Sequence, residues 1–243
     1  MMVRRFRMIA GPNGSGKSTL VRRLREEYAV NFYDFLNADD IFAAVKRSGA
    51  YSPKFPVAQE ELVAYAESST YDESVKNCFR SGAIWVSADC VRFSQEAVNS
   101  YTIALFTGFL QSVAISRGES FSQESVFSHP SKVDALKRAK ESGYRTYLYF
   151  IATSSPAINT CRVANRSSQG GHDVPADKIV SRYTRSIDQL KMAIPYLSRA
   201  FFFDNSGSEM VYLGSYSETD GFVFALPAES MPSWFRGLNL AAK

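Results

Sequence analysis

A chain of 243 residues with 45% hydrophobic and 14% aromatic side chains can build a full core, as one large domain or two small ones. Its formal net charge of +4 is too small by itself to announce a nucleic-acid binder, so where the arginines fall matters more than their number. Cys78, Cys90 and Cys161 form no C-x-x-C pair, and His129 and His172 cannot complete a metal cage with them, so neither a disulfide framework nor a zinc site is expected.

Arg4, Arg5 and Arg7 imitate the basic start of a signal peptide, but the apolar stretch after them is too short. Ile103 to Leu110, the most apolar window, is far shorter than a membrane span. A soluble protein of the reducing cytoplasm, with no membrane partner, is expected.

Phe6 to Ala10 reads as a short buried strand, and Thr19 to Tyr28 as a helix with Leu20 and Leu24 on one face. Between them, Gly11-Pro12-Asn13-Gly14-Ser15-Gly16-Lys17-Ser18 fills every fixed place of the Walker A pattern G-x-x-x-x-G-K-[ST], and Thr19 follows. Glycines at 11, 14 and 16 let the backbone bend round an anion without Cβ clashes, so that N–H groups and the helix N-terminus point at phosphate oxygens. Lys17 is then expected on the β- and γ-phosphates of ATP or GTP, and the Ser18 hydroxyl on Mg²⁺.

Phe32 to Leu36 is a second strand candidate that leaves into Asn37-Ala38-Asp39-Asp40-Ile41. Polar residues at such an exit lie where ligands bind in open parallel sheets, so Asp39 and Asp40 are catalytic candidates; a cap for a helix beginning at Ile41 is the structural reading. From Ala43 to Arg117 the pattern is mostly helical, broken at Gly49 to Pro56. One helix is expected over Glu60 to Phe79 and another over Ser94 to Ser116, stopped by Gly118. Ala83 to Phe93 shows no clear period and reads as a loop or a substrate-side insertion.

Ser120 to Phe127 follows as a strand with Glu124 near its end, then a helix over Ser131 to Ser142 closed by Gly143. Tyr144 to Ala152 is a strongly β-prone run ending in Thr153-Ser154-Ser155-Pro156. Arg162 and Arg166 share a face of a short helix. A glycine-bearing loop, Ser167 to Pro175, leads to a helix over Ala176 to Ile194 that carries Lys178, Arg182 and Arg185 away from its apolar stripe. Such charges are usually solvated faces, but a phosphate loop upstream favours cations gathered over a phosphoryl group. Arg199 to Phe203 is a last core strand ending in Asp204-Asn205-Ser206. Met210 to Tyr216 and Gly221 to Leu226 then resemble a hairpin.

The alternation predicts an α/β fold: a three-layer parallel-sheet P-loop NTPase of small-molecule kinase type. It is read as one domain over 1–243, with a helical acceptor-side insertion at 44–118, lid-like arginine helices at 157–195 and a C-terminal hairpin and tail at 207–243.

Gly11 to Thr19, Asn37-Ala38-Asp39, Glu124-Ser125, Arg162-Val163-x-x-Arg166, Gly170-Gly171-His172-x-Val174-Pro175, Arg182-Tyr183-x-Arg185-Ser186 and Asp204-Asn205-Ser206 together resemble the zeta toxin family of small P-loop kinases, over roughly residues 5 to 206. The resemblance implies an ATP- and Mg²⁺-dependent kinase whose acceptor is a small hydroxylated molecule, with UDP-N-acetylglucosamine as the family's nucleotide-sugar, and an antitoxin as protein partner. It implies Asp39 as the base facing the acceptor hydroxyl and Glu124 as a substrate-binding acid. Arg162, Arg166 and Arg182 become candidates for clamping phosphates. Asn37, Asp40, His172 and Arg185 join the substrate side, and Asn205 the nucleotide side. The chain departs from the family pattern where the common Glu-Thr-Thr reads Glu124-Ser125-Val126, and in the length of the segment from Ala44 to Gly118. Two other functions stand beside the kinase: a nucleotide-dependent interaction module without a small acceptor, and a nucleic-acid end kinase. The modest charge weighs against the latter, and nucleic acid is not the expected partner.

Overall fold

A computed structural model describes residues 3–169 and 174–238. The chain forms two compact units, Met1–Tyr33 with Ser122–Lys243, and Asp34–Phe121. The first unit opens with β1 (Arg5–Ala10) and α1 (Lys17–Glu26). The second contains β2 (Asp34–Leu36), α2 (Ala38–Ser48), β3 (Ala50–Tyr51), α3 (Gln59–Ser68), α4 (Glu73–Arg80), β4 (Ile84–Ser87), β5 (Cys90–Phe93) and α5 (Ser100–Arg117). The chain then returns through β6 (Phe121–Ser125), α6 (Ser131–Glu141), β7 (Arg145–Ala152), α7 (Pro156–Ser168), α8 (Ala176–Ala193), β8 (Arg199–Asp204), β9 (Val211–Ser217), β10 (Gly221–Phe224) and the short α9 (Ser233–Arg236).

Within the first unit the strands lie in the order β10-β9-β8-β7-β1-β6. β1 is parallel to β7 and β7 to β8, whereas β8, β9 and β10 run antiparallel. β7 has a neighbour on each side and is buried from Leu148 to Ala152, which is why its sequence is continuously apolar rather than alternating. The expected hairpin is β9–β10, which extends the parallel core as an antiparallel edge. α8 is tied to the carboxyl edge of the sheet by two hydroxyls: Tyr183 Oη donates to Thr153 O at 2.6 Å and Ser186 Oγ to Val126 O at 2.6 Å. Trp234 of α9 donates from Nε1 to Asp204 Oδ2 at 2.8 Å, at the last residue of β8.

The second unit differs from the sequence expectation in three places. The helix expected over Glu60 to Phe79 is two helices, because Ser69 leaves the α conformation (ψ 161) and Asp72 opens the next helix. Arg80 of α4 holds the pair together through Glu67 of α3 (2.7 Å) and also pairs with Glu73 on its own helix (3.2 Å). The aperiodic stretch Ala83 to Phe93 is a hairpin: Ile84, Val91 and Phe93 are buried while Trp85 and Arg92 face out, and β4, β5 and β3 form an antiparallel sheet. The segment expected to be a helical insertion thus carries a sheet among its helices. The long helix begins at Ser100 rather than Ser94, where Asn99 Oδ1 accepts the N–H groups of Tyr101 (2.9 Å) and Thr102 (3.0 Å). It ends at Gly118 as expected, with φ 72.

Candidate functional site

The loop between β1 and α1 is shaped by three glycines with positive φ, at 153° for Gly11, 75° for Gly14 and 99° for Gly16. A Cβ on Gly11 would stand 2.0 Å from Ile151 O, one on Gly14 2.7 Å from Asn159 O, and one on Gly16 2.3 Å from Asn205 Nδ2. At Gly11 and Gly14 the obstacle is backbone and admits only glycine; at Gly16 it is the end of a side chain, and the positive φ is what favours glycine. α1 starts on Gly16 with no side-chain cap and no acidic residue in its first turn, so its first N–H groups and the positive end of its dipole are offered to an anion. Lys17 Nζ is turned into the loop, donating to Gly11 O at 3.0 Å and Pro12 O at 3.1 Å. Ser15 is fully buried, and its Oγ has no hydrogen-bond partner among the described residues; neither has the buried Oδ1 of Asn13.

The rest of the first unit grips this loop through its backbone, at one N–H and at its carbonyls. Gly11 N donates to Ser125 O at 3.3 Å, which fastens the loop to the exit of β6 one residue after Glu124, itself half-buried. Asn205 N donates to Ala152 O at 2.8 Å, while its Nδ2 donates to Ser15 O at 2.9 Å. Arg162 then braces, from α7, the β8–β9 connection that carries Asn205, through Nη1 to Asn205 O (2.7 Å) and Nη2 to Gly207 O (3.3 Å). Arg166, one turn on, is exposed. On α8, Arg182 is half-buried, and Arg185 turns back on its own helix at Ser181 O (3.3 Å). Gly170, Gly171 and His172 lie outside the described residues.

Two contributors escaped the sequence reading. Asn159, fully buried on α7, donates from Nδ2 to Asn13 O at 2.5 Å and accepts from Thr153 Oγ1, whose own carbonyl receives Tyr183 Oη. This runs a line of hydrogen bonds from the arginine helix α8 to the phosphate loop. A polar residue one turn before the buried Val163, on the same helix face, was the available signal. The second is an open cleft of about 430 Å³ beside the loop, in which Arg23, Ser208, Glu209 and Met210 join the already expected Thr19 and Asn205.

Asn37, Asp39 and Asp40 are gathered in the second unit, on the first turn of α2. That helix starts at Ala38, not Ile41, and its cap is Asn37, whose Oδ1 accepts Asp39 N–H at 2.9 Å. The structure therefore gives the capping duty to Asn37 and leaves the Asp39 carboxylate outside it. Burial, and then the carboxylates of Asp34 and Asp40, push the Tyr51 hydroxyl to a higher pKa. Asp34 also pairs with Lys54 at 3.2 Å.

The chemistry of the donors fits a nucleotide triphosphate with its metal. The glycine cradle, the uncapped helix and the buried Lys17 suit phosphate. No cluster of three or more His, Cys, Asp or Glu suited to a metal occurs among the described residues. Mg²⁺ in nucleotide sites characteristically takes one or two protein oxygens together with phosphates and waters, a demand the Ser18 hydroxyl meets.

A strand, a glycine turn and an uncapped helix at the carboxyl edge of a parallel sheet define an α/β P-loop NTPase fold of kinase-like type. A family model described as AAA domain (AAA_33) matches residues 7–188, and the chain belongs to that family. A curated relative, an uncharacterized protein of Haemophilus influenzae, is 34% identical over 70 residues, 29% of this chain and 50% of that protein. Among solved structures, the crystal structure of AvrRxo1-ORF1:-ORF2 with ATP is similar at a TM-score of 0.53 and 16% identity, over 92% of this chain and 61% of that one. The PezAT chromosomal toxin-antitoxin system of Streptococcus pneumoniae aligns at a TM-score of 0.49 and 14% identity, over 86% and 72%. The match thus spans about half the length of the curated relative and less than two thirds of the AvrRxo1 chain. No helix among the described residues is long and apolar enough to cross a membrane.

Proposed function

We propose that the protein is an ATP- and Mg²⁺-dependent phosphotransferase acting on a hydroxyl of a small acceptor, with nucleotide-sugars such as UDP-N-acetylglucosamine as the first candidates. The observation that carries the proposal is the uncapped α1 N-terminus facing a three-glycine cradle that holds the Lys17 amine. In this reading Gly11 to Thr19 hold the phosphates, Ser18 provides an oxygen to the metal, and Asn205 with Arg23 and Met210 borders the base in the adjoining cleft. When bound, ATP supplies the transferable phosphoryl group and Mg²⁺ offsets phosphate charge.

Asp39, at the second position of α2 and without a capping duty, accepts the proton of the acceptor hydroxyl. Glu124, Asp40 and Asn37, with His172, orient the acceptor; Arg166, Arg182 and Arg185 balance the phosphate charge. Arg162 belongs to this set through the loop it braces, since both arms of its guanidinium are engaged there. An antitoxin-like protein that covers the nucleotide site follows from the zeta toxin resemblance.

The test is incubation with γ-labelled ATP, Mg²⁺ and a panel of UDP-sugars, nucleosides, NAD and oligonucleotides. Label is expected on one small hydroxylated compound and to be lost in Asp39→Ala. An Asp39→Ala protein that labels the acceptor at the parental rate would remove Asp39 from the mechanism. If no panel member acquires label while ATP is bound, the interaction-module reading takes over.

A further inference from the structure

The sheet of the first unit has one face that the proposed chemistry does not use. Arg5 and Arg145 stand side by side in register, and the next row runs Arg7, Tyr147, Arg199, Ser217 across four strands. The row after that brings Tyr149, Phe201, Ser215 and Val223 together. Residues opposite one another and two apart along a strand share a face, so these arginines and rings are interleaved on one surface. The other face takes the C-terminal packing, with Phe235 on Phe202 and Trp234 on Phe150. On the arginine side, Arg145 and Arg199 are exposed, Phe201 is half-buried, and Val223 is 56% exposed.

This surface is ordered by its own contacts. The Arg7 guanidinium is stacked between Tyr33 (5.1 Å) and Tyr147 (4.9 Å), and Phe201 is stacked on Tyr149 at 5.1 Å. The acids at its border have partners. Asp220 accepts from Ser217 Oγ at 2.7 Å, and Glu218 pairs with Lys140. The side chains of Arg145 and Arg199 make no hydrogen bond or ion pair within the described residues, so positive charge flanks the exposed Tyr33 ring and the half-buried Phe201 ring. Arg5 lies six residues before Gly11, roughly 20 Å along an extended strand, so the Arg5–Arg145 row stands at the end of the sheet away from the phosphate loop, while the Phe201 row, level with Ile9, lies nearer to it.

We propose that this face docks a single-stranded polynucleotide, with Arg5, Arg145 and Arg199 on its phosphates and Tyr33 and Phe201 offering rings to its bases. Phosphates spaced along a strand match a row of guanidinium groups, and bases stack on aromatic faces without regard to sequence. The net charge of +4 conceals such a surface, because the sum over the chain says nothing of how arginines are gathered on one face.

The test uses the full chain and fluorescein-labelled 12-nucleotide RNA and DNA of mixed sequence, read by anisotropy. Phosphatidylserine vesicles and polyglutamate serve as parallel arms. Oligonucleotide binding is expected at 50 mM salt, and three phosphate contacts predict about a twentyfold loss of affinity by 200 mM. Arg145→Glu with Arg199→Glu is expected to weaken binding at least tenfold while affinity for a fluorescent ATP analogue and the melting temperature hold, and Phe201→Ala at least fivefold while nucleotide affinity holds. Should the glutamate pair fold poorly, Arg145→Gln with Arg199→Gln carries the same expectation at about fivefold. The RNA and DNA arms show which strand is preferred. Absence of oligonucleotide binding at 50 mM salt overturns the proposal. So does equal binding by the variants, displacement by ATP, or capture of vesicles or polyglutamate alone. Because nucleotide affinity is the control, failure here leaves the kinase reading untouched.

Discussion

Gly11 and Gly16 meet different obstacles in the same loop. At Gly11 a methyl group would run into the Ile151 carbonyl, which is backbone and buried; at Gly16 it would meet the end of the Asn205 side chain, which can move, but φ 99 would still be strained. Gly11→Ala is therefore expected to destabilise the protein by about 2 kcal/mol or more in urea melts. Gly16→Ala is expected to keep most of its stability and lose at least tenfold in nucleotide affinity, since it displaces the Asn205 clamp. A second residue-level consequence concerns Tyr183, whose hydroxyl is pushed up to about 12, first by burial and then by the nearby Asp204 carboxylate. In the unfolded chain a tyrosine ionises near pH 10. The stability this group adds is whole below pH 10 and is lost as the pH rises through 12. Urea melts between pH 10 and 12 should show the parental protein losing stability more steeply than Tyr183→Phe. Tyr183→Phe should in turn start lower, because Thr153 O loses its donor.

At the level of elements, the capping of α2 separates two roles that the sequence leaves superimposed. Asn37→Ala should cost about 1 kcal/mol, read by chemical denaturation, because the Asp39 N–H loses its acceptor. Asn37→Ser should restore stability. If it also restores turnover, Asn37 acts by holding the first turn of α2 rather than by touching the acceptor. The same region shows where periodicity was legible and where it was not. α5 was visible as a long apolar run closed by Gly118, but its start was not, because the Asn99 cap and its Thr102 partner carry no hydrophobic signal. The β4–β5 hairpin was missed because its turn holds Ala88 at φ 51, where Asn or Gly would have marked it. β1, β7 and β8 were readable because strands buried in a sheet interior carry short continuous apolar runs with polar exits, such as Met8 to Ala10, Leu148 to Ala152 and Ala200 to Phe203; β6, Phe-Ser-Gln-Glu-Ser, carries no such run.

For the whole molecule, the division into two units places Lys17 and Asp39 on different ones, which makes their contributions separable by experiment. ATP at a hundred times its Kd should stabilise the parental protein by about 2.7 kcal/mol, seen as a rise in melting temperature. Lys17→Ala should lose most of that rise together with phosphoryl transfer, and Asp39→Ala should lose transfer while keeping the rise. An Asp39→Ala protein that no longer responds to ATP would place the carboxylate on the nucleotide rather than on the acceptor.

Read as a string of residues, the chain already contains the phosphate loop, since that requirement is local: glycines with positive φ, a lysine and a hydroxyl follow one another without a gap. The buried strands that carry the loop are local too, and so is the terminal hairpin. What could not be read is what grips the loop and what lies behind it. Asn159 reaches Asn13 across 146 positions, and Asn205 reaches Ser15 across 190. Arg5, Arg145 and Arg199 become neighbours only when β1, β7 and β8 pair. Contacts of that kind depend on strand order and register, which no window of neighbouring side chains encodes.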